Sequence, residues 1–173
     1  MMVLVVGGAA SGKSAFAEEL IMRAGEGHRL SYLATMERNT LSAEKRIERH
    51  RALRAGKGFE TVECARDIRK VLQQCREYVL LECITNLLAN EQFGETYVER
   101  VAEKIREDIR ALKSRSRFLV LVSGDVFSDA EEYDSMTESY RRELGHLNCM
   151  LAEDADAVAE VSAGIPLWIK GGV

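Results

Sequence analysis

The sequence predicts an α/β fold in which helices cover both faces of a mostly parallel sheet. Short apolar segments alternate along the chain with longer amphipathic ones, an order that implies right-handed crossovers between parallel strands. Two of the short segments, Tyr78-Val79-Leu80-Leu81 and Phe118-Leu119-Val120-Leu121-Val122, are apolar throughout, as expected of strands covered on both faces. The 173 residues contain no linker, repeat or low-complexity segment, so we expect one domain over residues 1–173.

The predicted elements follow the chain in order. Apolar residues predict strands at about 2–6, 29–34, 78–82, 117–123 and 156–162, with a candidate last strand at 165–169. Helical spacing of apolar residues predicts helices at about 13–24, 41–55, 64–76, 96–114 and 134–153. In the fourth of these helices, charged residues alternate with Val101, Ile105 and Ile109, which indicates an amphipathic helix with a solvated charged face.

Composition narrows the classes of function. The net charge is −4, whereas general nucleic-acid binding requires a basic surface, so we expect no nucleic-acid partner. No run of about 18 apolar residues occurs, so we expect no membrane span. The apolar N-terminus runs into glycines without a basic segment or cleavage site, which favours a strand over a signal peptide. The four cysteines form no C-x-x-C pair, and we expect reduced thiols in a cytoplasmic protein.

A glycine-rich segment follows the first predicted strand and opens the first predicted helix. It reads Gly7-Gly8-Ala9-Ala10-Ser11-Gly12-Lys13-Ser14 and matches the pattern G-x-x-x-x-G-K-[ST] in full. Glycines let the backbone curl until several N–H groups point at phosphate oxygens, and the following helix adds the positive end of its dipole. We therefore expect a P-loop that binds a nucleoside triphosphate, with Lys13 on the β- and γ-phosphates and the Ser14 hydroxyl on magnesium. An incidental glycine-rich turn would not require this strand and helix around it.

Glu82 is the candidate acid partner of the magnesium ion. It ends the third predicted strand, and P-loop proteins need an acid near the metal, usually at the end of a buried strand. A carboxylate there acts on magnesium directly or through water. The alternative is an ordinary acid at the end of a strand.

The densest basic region of the chain, residues 42–54, contains a histidine. At helical spacing Arg46, His50 and Arg54 lie at i, i+4 and i+8 and so share a face. A neutral imidazole nitrogen is a competent nucleophile towards phosphorus, and the arginines would lower the pKa of His50 and neutralise phosphate charge as it attacks. The alternative is a histidine that is simply solvated on a charged helix.

Several segments besides the glycine-rich loop match a known family. They are Tyr32-Leu33-Ala34-Thr35, Arg46-Ile47-Glu48-Arg49-His50-Arg51, Glu60-Thr61-Val62-Glu63-Cys64, Leu80-Leu81-Glu82-Cys83-Ile84-Thr85-Asn86 and Ala152-Glu153-Asp154-Ala155-Asp156-Ala157-Val158. With them the chain resembles, nearly end to end, the adenosylcobinamide kinase/adenosylcobinamide-phosphate guanylyltransferase family of cobalamin biosynthesis. The histidine after Arg46-Ile47 is the most telling feature, because a generic P-loop kinase has no reason to have one there.

The resemblance implies a two-step enzyme. A nucleoside triphosphate, ATP or GTP, first phosphorylates the aminopropanol hydroxyl of adenosylcobinamide. GTP then transfers GMP to a histidine, pyrophosphate leaves, and the substrate phosphate takes up the GMP to give adenosylcobinamide-GDP. The expected cofactor is Mg²⁺, and the expected partners are adenosylcobinamide and its phosphate. Members of the family form trimers with the active site near a subunit contact, so the resemblance also implies a homo-oligomer.

Residue by residue, the resemblance extends to the nucleotide site. His50 matches the guanylylated histidine, and Lys13 is the second candidate catalytic residue. The positions that match GTP-contacting residues of the family are Gly7 to Ser14, Ala34, Thr35, Met36, Arg51, Ala52, Leu53, Arg54, Glu63 and Glu82.

The chain also departs from the family pattern. The family usually has arginine at the position of Ala10, proline at that of Ala55 and tryptophan at that of Phe59. Residues 124–132 are acidic here, where the family usually has a glycine-rich loop, and only Asp125 and Val126 recur in it. Downstream the pattern matches again at Tyr140-Arg141, Gly145 and Asn148. The nucleotide half of the site is thus kept, while the corrinoid half differs.

Two other readings of the sequence remain open for this reason. One is a P-loop small-molecule kinase that has diverged to another substrate, and the other is a GTP-binding regulator that has lost the corrinoid site. The retained His50 argues against both, since neither needs a nucleophilic imidazole beside the phosphates. The altered 124–132 loop argues for them. The sequence leaves open whether ATP or GTP donates the phosphoryl group.

Overall fold

Seven strands form one sheet in the computed structural model, which describes residues 1–37, 48, 52, 56–94, 98–126 and 133–173. Five of the six strand pairings are parallel, and β7 alone runs antiparallel to its neighbour β6. This confirms the predicted mostly parallel sheet. The strands lie in the order β3-β2-β4-β5-β1-β6-β7. Their bounds are β1 Met2–Gly7, β2 Leu30–Ala34, β3 Phe59–Glu63, β4 Tyr78–Glu82, β5 Phe118–Gly124, β6 Ala157–Ser162 and β7 Ile165–Lys170.

Helices cover both faces of this sheet, as predicted. One face packs on α1, and the opposite face packs on α2, α3, α4 and a short 3-10 helix. In the part of the chain that the structure describes, no helix combines the length and apolar character that crossing a bilayer requires. The bounds are α1 Lys13–Ala24, α2 Ile84–Gln92, α3 Val101–Arg115 and α4 Ser135–Asp154, with the 3-10 helix at Ile68–Gln74.

The central strands are apolar throughout because alternate side chains serve two cores. In β1, Val3 and Val5 belong to the core under α1, whereas Met2 and Leu4 belong to the core under α2, α3 and α4. Since successive side chains of a strand point to opposite faces, a strand covered on both sides needs apolar residues at every position.

Two of the predicted helices have the wrong bounds, and one strand and one helix were missed. The expected helix at 64–76 is only the 3-10 helix Ile68–Gln74, and Asp67 before it has a left-handed φ of 51°. The expected helix at 96–114 begins at Val101. Strand β3 was missed because it is an edge strand with only two large apolar residues, Phe59 and Val62, rather than an apolar run, and α2 because it is short. The expected helix at 41–55 lies outside the described residues except Glu48 and Ala52, which are both helical.

Asp154, at the end of α4, joins that helix to α3. Its two carboxylate oxygens accept hydrogen bonds from Arg106 at 2.8 and 2.9 Å and from Arg110 at 2.8 and 2.7 Å. The Asp154 side chain is only 13% exposed. Hydrogen bonds from Arg106, which has the larger effect, and from Arg110 hold the pKa of Asp154 well below its usual range.

This pairing predicts a pH-dependent loss of stability. The unfolded pKa is about 3.9, so the stabilisation is fully present above that value and is lost as pH falls towards the lower folded-state pKa. Asp154→Asn should therefore lower the free energy of unfolding at pH 7 by about 1–3 kcal/mol. Urea denaturation at pH 7 and at pH 3 measures the difference, which should shrink at the lower pH. The matched control is Glu153→Gln, because Glu153 is 71% exposed and also contacts Arg106. Equal losses in the two variants would contradict the assignment.

Candidate active site

The sheet places several predicted site residues at the carboxyl ends of its strands. Parallel strands have their carboxyl ends on the same side, and the register aligns Ala34 with both Glu63 and Glu82. Two strands further along the sheet, Gly7 aligns with Gly124. Residues that are far apart in sequence therefore lie along the carboxyl ends of the strands, the usual place for a ligand in an open α/β sheet.

The loop begins at Gly7, a position where no side chain fits. A Cβ on Gly7 would lie 2.6 Å from the Ser11 Oγ and 2.6 Å from the Val161 carbonyl oxygen of β6. The turn then needs left-handed backbone at Ala10, with φ 56°, and at Gly12, with φ 92°. Helix α1 starts directly after Gly12, so its unpaired N–H groups face the space above the loop. This is the geometry of an anion-binding site.

Lys13 lies across the mouth of this loop. Its ammonium group donates a hydrogen bond to the Gly8 carbonyl oxygen at 2.8 Å. This contact bridges the loop and places a positive charge where it can meet a bound phosphate. The site can accept the negative charge of a triphosphate through this ammonium group and the backbone N–H groups together.

Ser14 and Glu82, the two residues predicted to bind magnesium, meet beside Lys13. The Ser14 hydroxyl donates to Glu82 Oε1 at 2.5 Å, and this bond joins the first turn of α1 to the end of β4. The second carboxylate oxygen, Oε2, accepts a hydrogen bond from the Tyr32 hydroxyl at 2.7 Å. Tyr32 was not predicted as a site residue. The strand alternation of β2 could have shown that it shares a face with Ala34, but its partner depends on the register.

The donor atoms fit a magnesium ion. A hydroxyl and a carboxylate oxygen are ligands that Mg²⁺ accepts, and this ion commonly takes one or two protein ligands with waters and substrate phosphates. Within the described residues no group of three or more His, Cys, Asp or Glu side chains could hold a metal by itself. A magnesium site at Ser14 and Glu82 would therefore depend on the bound nucleotide for further ligands.

Thr35 is held inside the protein rather than facing the loop. It has no exposed surface, its hydroxyl donates to the Cys83 carbonyl at 2.8 Å, and the same oxygen accepts from the Cys83 N–H at 2.7 Å. Asn90 donates to the Thr35 carbonyl at 2.8 Å. Thr35 thus links β2, β4 and α2. The expected contact with a nucleotide suits its half-buried neighbours Ala34 and Met36 better.

The basic segment lies mostly outside the described residues. His50, Arg51, Leu53 and Arg54 fall there, and Ala52 is described only as helical and exposed. Of the 124–132 loop, Gly124, Asp125 and Val126 are described. The Gly124 N–H donates to the Thr85 hydroxyl at 2.8 Å, and the Asp125 N–H donates to the Gly7 carbonyl at 3.0 Å. The start of this loop is therefore fixed beside the phosphate-binding loop.

Comparison with known proteins identifies the family. The sequence model of the cobinamide kinase / cobinamide phosphate guanyltransferase family matches residues 3–169. The chain belongs to this family. The bifunctional adenosylcobalamin biosynthesis protein CobU of Salmonella typhimurium is 31% identical, over 98% of this chain and 100% of that protein. The bifunctional adenosylcobalamin biosynthesis protein CobP of Pseudomonas aeruginosa is 31% identical over 97% of this chain and 96% of its own.

Solved structures support the fold. The flagellar accessory protein FlaH of Methanocaldococcus jannaschii superposes with a TM-score of 0.50 at 14% identity, covering 99% of this chain and 78% of that one. A solved ATPase domain gives a TM-score of 0.53 at 15% identity, covering 92% and 68%. At such identities the likeness concerns the fold alone, and it confirms the predicted P-loop architecture.

Membership in the family confirms two further expectations. It confirms the resemblance inferred from the sequence and the enzyme class, a cobinamide kinase and cobinamide phosphate guanyltransferase that acts in cobalamin biosynthesis. The roles of single residues, including His50, stay predictions.

The position of Lys13 generates the first prediction about the site. Lys13→Ala removes the cation at the mouth of the loop, so both nucleotide-dependent reactions should fall together by several kcal/mol of transition-state stabilisation. Steady-state rates of corrinoid phosphorylation and GMP transfer measure this. Arg23→Ala, an exposed residue at the other end of α1, is the matched control and should change neither rate. Near-normal turnover in Lys13→Ala would refute the P-loop assignment.

Proposed function

We propose that the chain phosphorylates adenosylcobinamide with a nucleoside triphosphate and then transfers GMP from GTP to the product, giving adenosylcobinamide-GDP. The observation that carries this proposal is the loop from Gly7 to Ser14, with Lys13 across its mouth and the Ser14–Glu82 pair beside it. Family membership supplies the corrinoid substrate class. The same loop, Gly7 to Ser14, serves both reactions, since each begins from a bound triphosphate.

In the first reaction the chain binds and orients the triphosphate. The N–H groups of the loop and the Lys13 ammonium hold the β- and γ-phosphates, while the alcohol oxygen of the corrinoid attacks the γ-phosphorus. The bond to the β,γ-bridging oxygen breaks, the nucleoside diphosphate leaves, and the alcohol proton passes to solvent or to a nearby base. A magnesium ion held by Ser14 and Glu82 would neutralise charge on the phosphates.

The second reaction needs a nucleophile of the protein. We assign this role to His50, whose imidazole nitrogen attacks the α-phosphorus of GTP. The bond to the α,β-bridging oxygen breaks, pyrophosphate leaves, and the imidazole gives up its proton. The phosphate of the corrinoid then attacks the same phosphorus and displaces the histidine, which takes up a proton as it leaves and returns to neutral imidazole. A P-loop alone suffices for γ-phosphoryl transfer, whereas attack at the α-phosphate with a protein-bound intermediate needs a group such as His50.

The experiment that tests this function uses GTP labelled at the α-phosphate. The protein is incubated with it and then separated under denaturing conditions. Label that stays on the protein and is acid-labile and base-stable is a phosphoramidate. The altered 124–132 loop favours a second candidate, a diverged P-loop kinase or GTP-binding regulator, and either of these would leave the protein unlabelled.

We also propose that the protein is a homo-oligomer, a trimer by its resemblance to the family. In support, the edge strand β7 presents three large apolar side chains on one face, Ile165, Leu167 and Ile169, which are 71%, 65% and 61% exposed. The turn between β6 and β7 touches the phosphate-binding loop, since the Gly164 N–H donates to the Ser11 carbonyl at 2.8 Å. A subunit that covered β7 would therefore lie close to the active site.

The Ser14–Glu82 pair predicts how magnesium dependence changes. Glu82→Gln keeps the shape of the side chain and removes its charge, so the magnesium concentration for half-maximal activity should rise about tenfold while the protein stays folded. Activity titrations with Mg²⁺, together with thermal melts, measure both. The matched control is Glu160→Gln, an exposed acid of β6, which should leave magnesium dependence unchanged. Unaltered dependence in Glu82→Gln would make Glu82 an ordinary strand-end acid.

The role of His50 predicts selective loss of one reaction. His50→Asn should abolish covalent labelling and GMP transfer, because no nucleophile remains for the α-phosphorus. Phosphorylation of the corrinoid alcohol should largely survive, because it needs no imidazole. Both rates are measured on the same preparation, with His146→Asn on α4 as the control. If the two reactions are lost or retained together, His50 is not the nucleophile.

A further inference from the structure

Both oxygens of the Glu82 carboxylate are engaged by hydroxyl groups. Oε1 accepts from Ser14 at 2.5 Å, and Oε2 accepts from Tyr32 at 2.7 Å. Tyr32 is in the middle of β2 and only 3% exposed, so its hydroxyl reaches the site from within the sheet. Glu82 is thus held between the first turn of α1 and a neighbouring strand.

The register of β2 and β4 explains why this position carries a tyrosine. Ala34 pairs with Glu82, and Tyr32 is two residues earlier on the same face of β2. Its Cα is therefore about 6.6 Å below the level of Glu82 along the strand, a distance that only a long side chain bridges. The Phe59 ring meets the Tyr32 ring edge-on at 6.0 Å and 81°, which fixes the direction in which the hydroxyl points.

We propose that Tyr32 is a positioning residue for Glu82 and, through Glu82, for the Ser14 hydroxyl. This inference rests on the proposed metal role of Ser14 and Glu82. Glu82 is the acceptor in both hydrogen bonds, and Tyr32 and Ser14 are the donors. The Ser14 proton is thereby committed to the carboxylate, so the lone pairs of its oxygen are left for a cation. With Oε2 held by Tyr32, the carboxylate cannot turn Oε1 away from Ser14.

A hydrogen bond that served packing alone would behave differently. Its loss would lower the thermal unfolding temperature and leave the affinity for magnesium unchanged. A positioning role predicts that the affinity for magnesium falls, because groups that orient metal ligands contribute to metal affinity. It also predicts that the thermal unfolding temperature changes little, because the ring still packs in the core. The decisive measurement is therefore cation affinity.

The test compares Tyr32→Phe with the unmodified protein. Calorimetric titration with Mg²⁺, in the presence of a fixed concentration of a non-hydrolysable GTP analogue, should show a dissociation constant about tenfold higher in the variant. The turnover rate of both reactions should fall at limiting magnesium and recover as the magnesium concentration is raised. Tyr32→Leu provides a second side chain without the hydroxyl. The control is Tyr78→Phe, the same change on the same sheet face, where the ring contacts His28 rather than the site.

A double variant separates this inference from the proposed function. If Tyr32 acts through Glu82, adding Tyr32→Phe to Glu82→Gln should cause no further loss of magnesium affinity. Additive losses would overturn the inference, because Tyr32 would then act independently of Glu82. Weakened binding in Glu82→Gln with normal binding in Tyr32→Phe would also overturn it, while the proposed metal site would stand. Normal binding in Glu82→Gln itself would remove the metal site and the inference together.

Discussion

The phosphate-binding loop takes its shape from the crowding of β1 between β5 and β6. A side chain at Gly7 would meet the Val161 carbonyl of β6, and the Asp125 N–H that follows β5 donates to the Gly7 carbonyl. The end of β1 is thus fixed from both sides, and the chain must turn there without a Cβ. The start of α1 and the place of Lys13 follow from that turn. The Gly164 N–H braces the far side of the loop at Ser11.

The site is completed by contacts that are remote in sequence. Ser14 and Glu82 are 68 positions apart, and Tyr32 and Glu82 are 50 apart, yet the parallel register brings them within hydrogen-bond distance. Two kinds of constraint therefore build one site. The loop combines a local glycine pattern with its fit between β5 and β6, while the carboxylate between two hydroxyls depends on the alignment of β2 and β4. Thr35 and Asn90 support that alignment from the neighbouring turn.

These two kinds of constraint explain what the sequence could reveal. The bounds 13–24 and 78–82 agree with α1 and β4, because a local glycine pattern and an apolar run mark them. Helix α2 is short and is capped by Cys83, which is not among the residues that usually signal a helix start. Ile68, Val71 and Leu72 have the spacing of an α-helix but form a 3-10 helix after the left-handed Asp67. Tyr32 could be predicted as a core residue, but its bond to Glu82 required the register.

The same reasoning separates the nucleotide half of the site from the corrinoid half. A triphosphate is recognised by backbone N–H groups, one ammonium group and a metal, and these demand particular residues such as Gly7 and Lys13. Few alternative sequences satisfy a pattern of this kind. A corrinoid is a large ligand with many amide groups, and many combinations of side chains can bind such a surface. The resemblance assigns residues 124–132 to the corrinoid half of the site, and a departure from the family pattern is expected more readily there than in the glycine-rich loop. The intact phosphate site, joined to that loop through Asp125 and Gly7, is the stronger evidence for function.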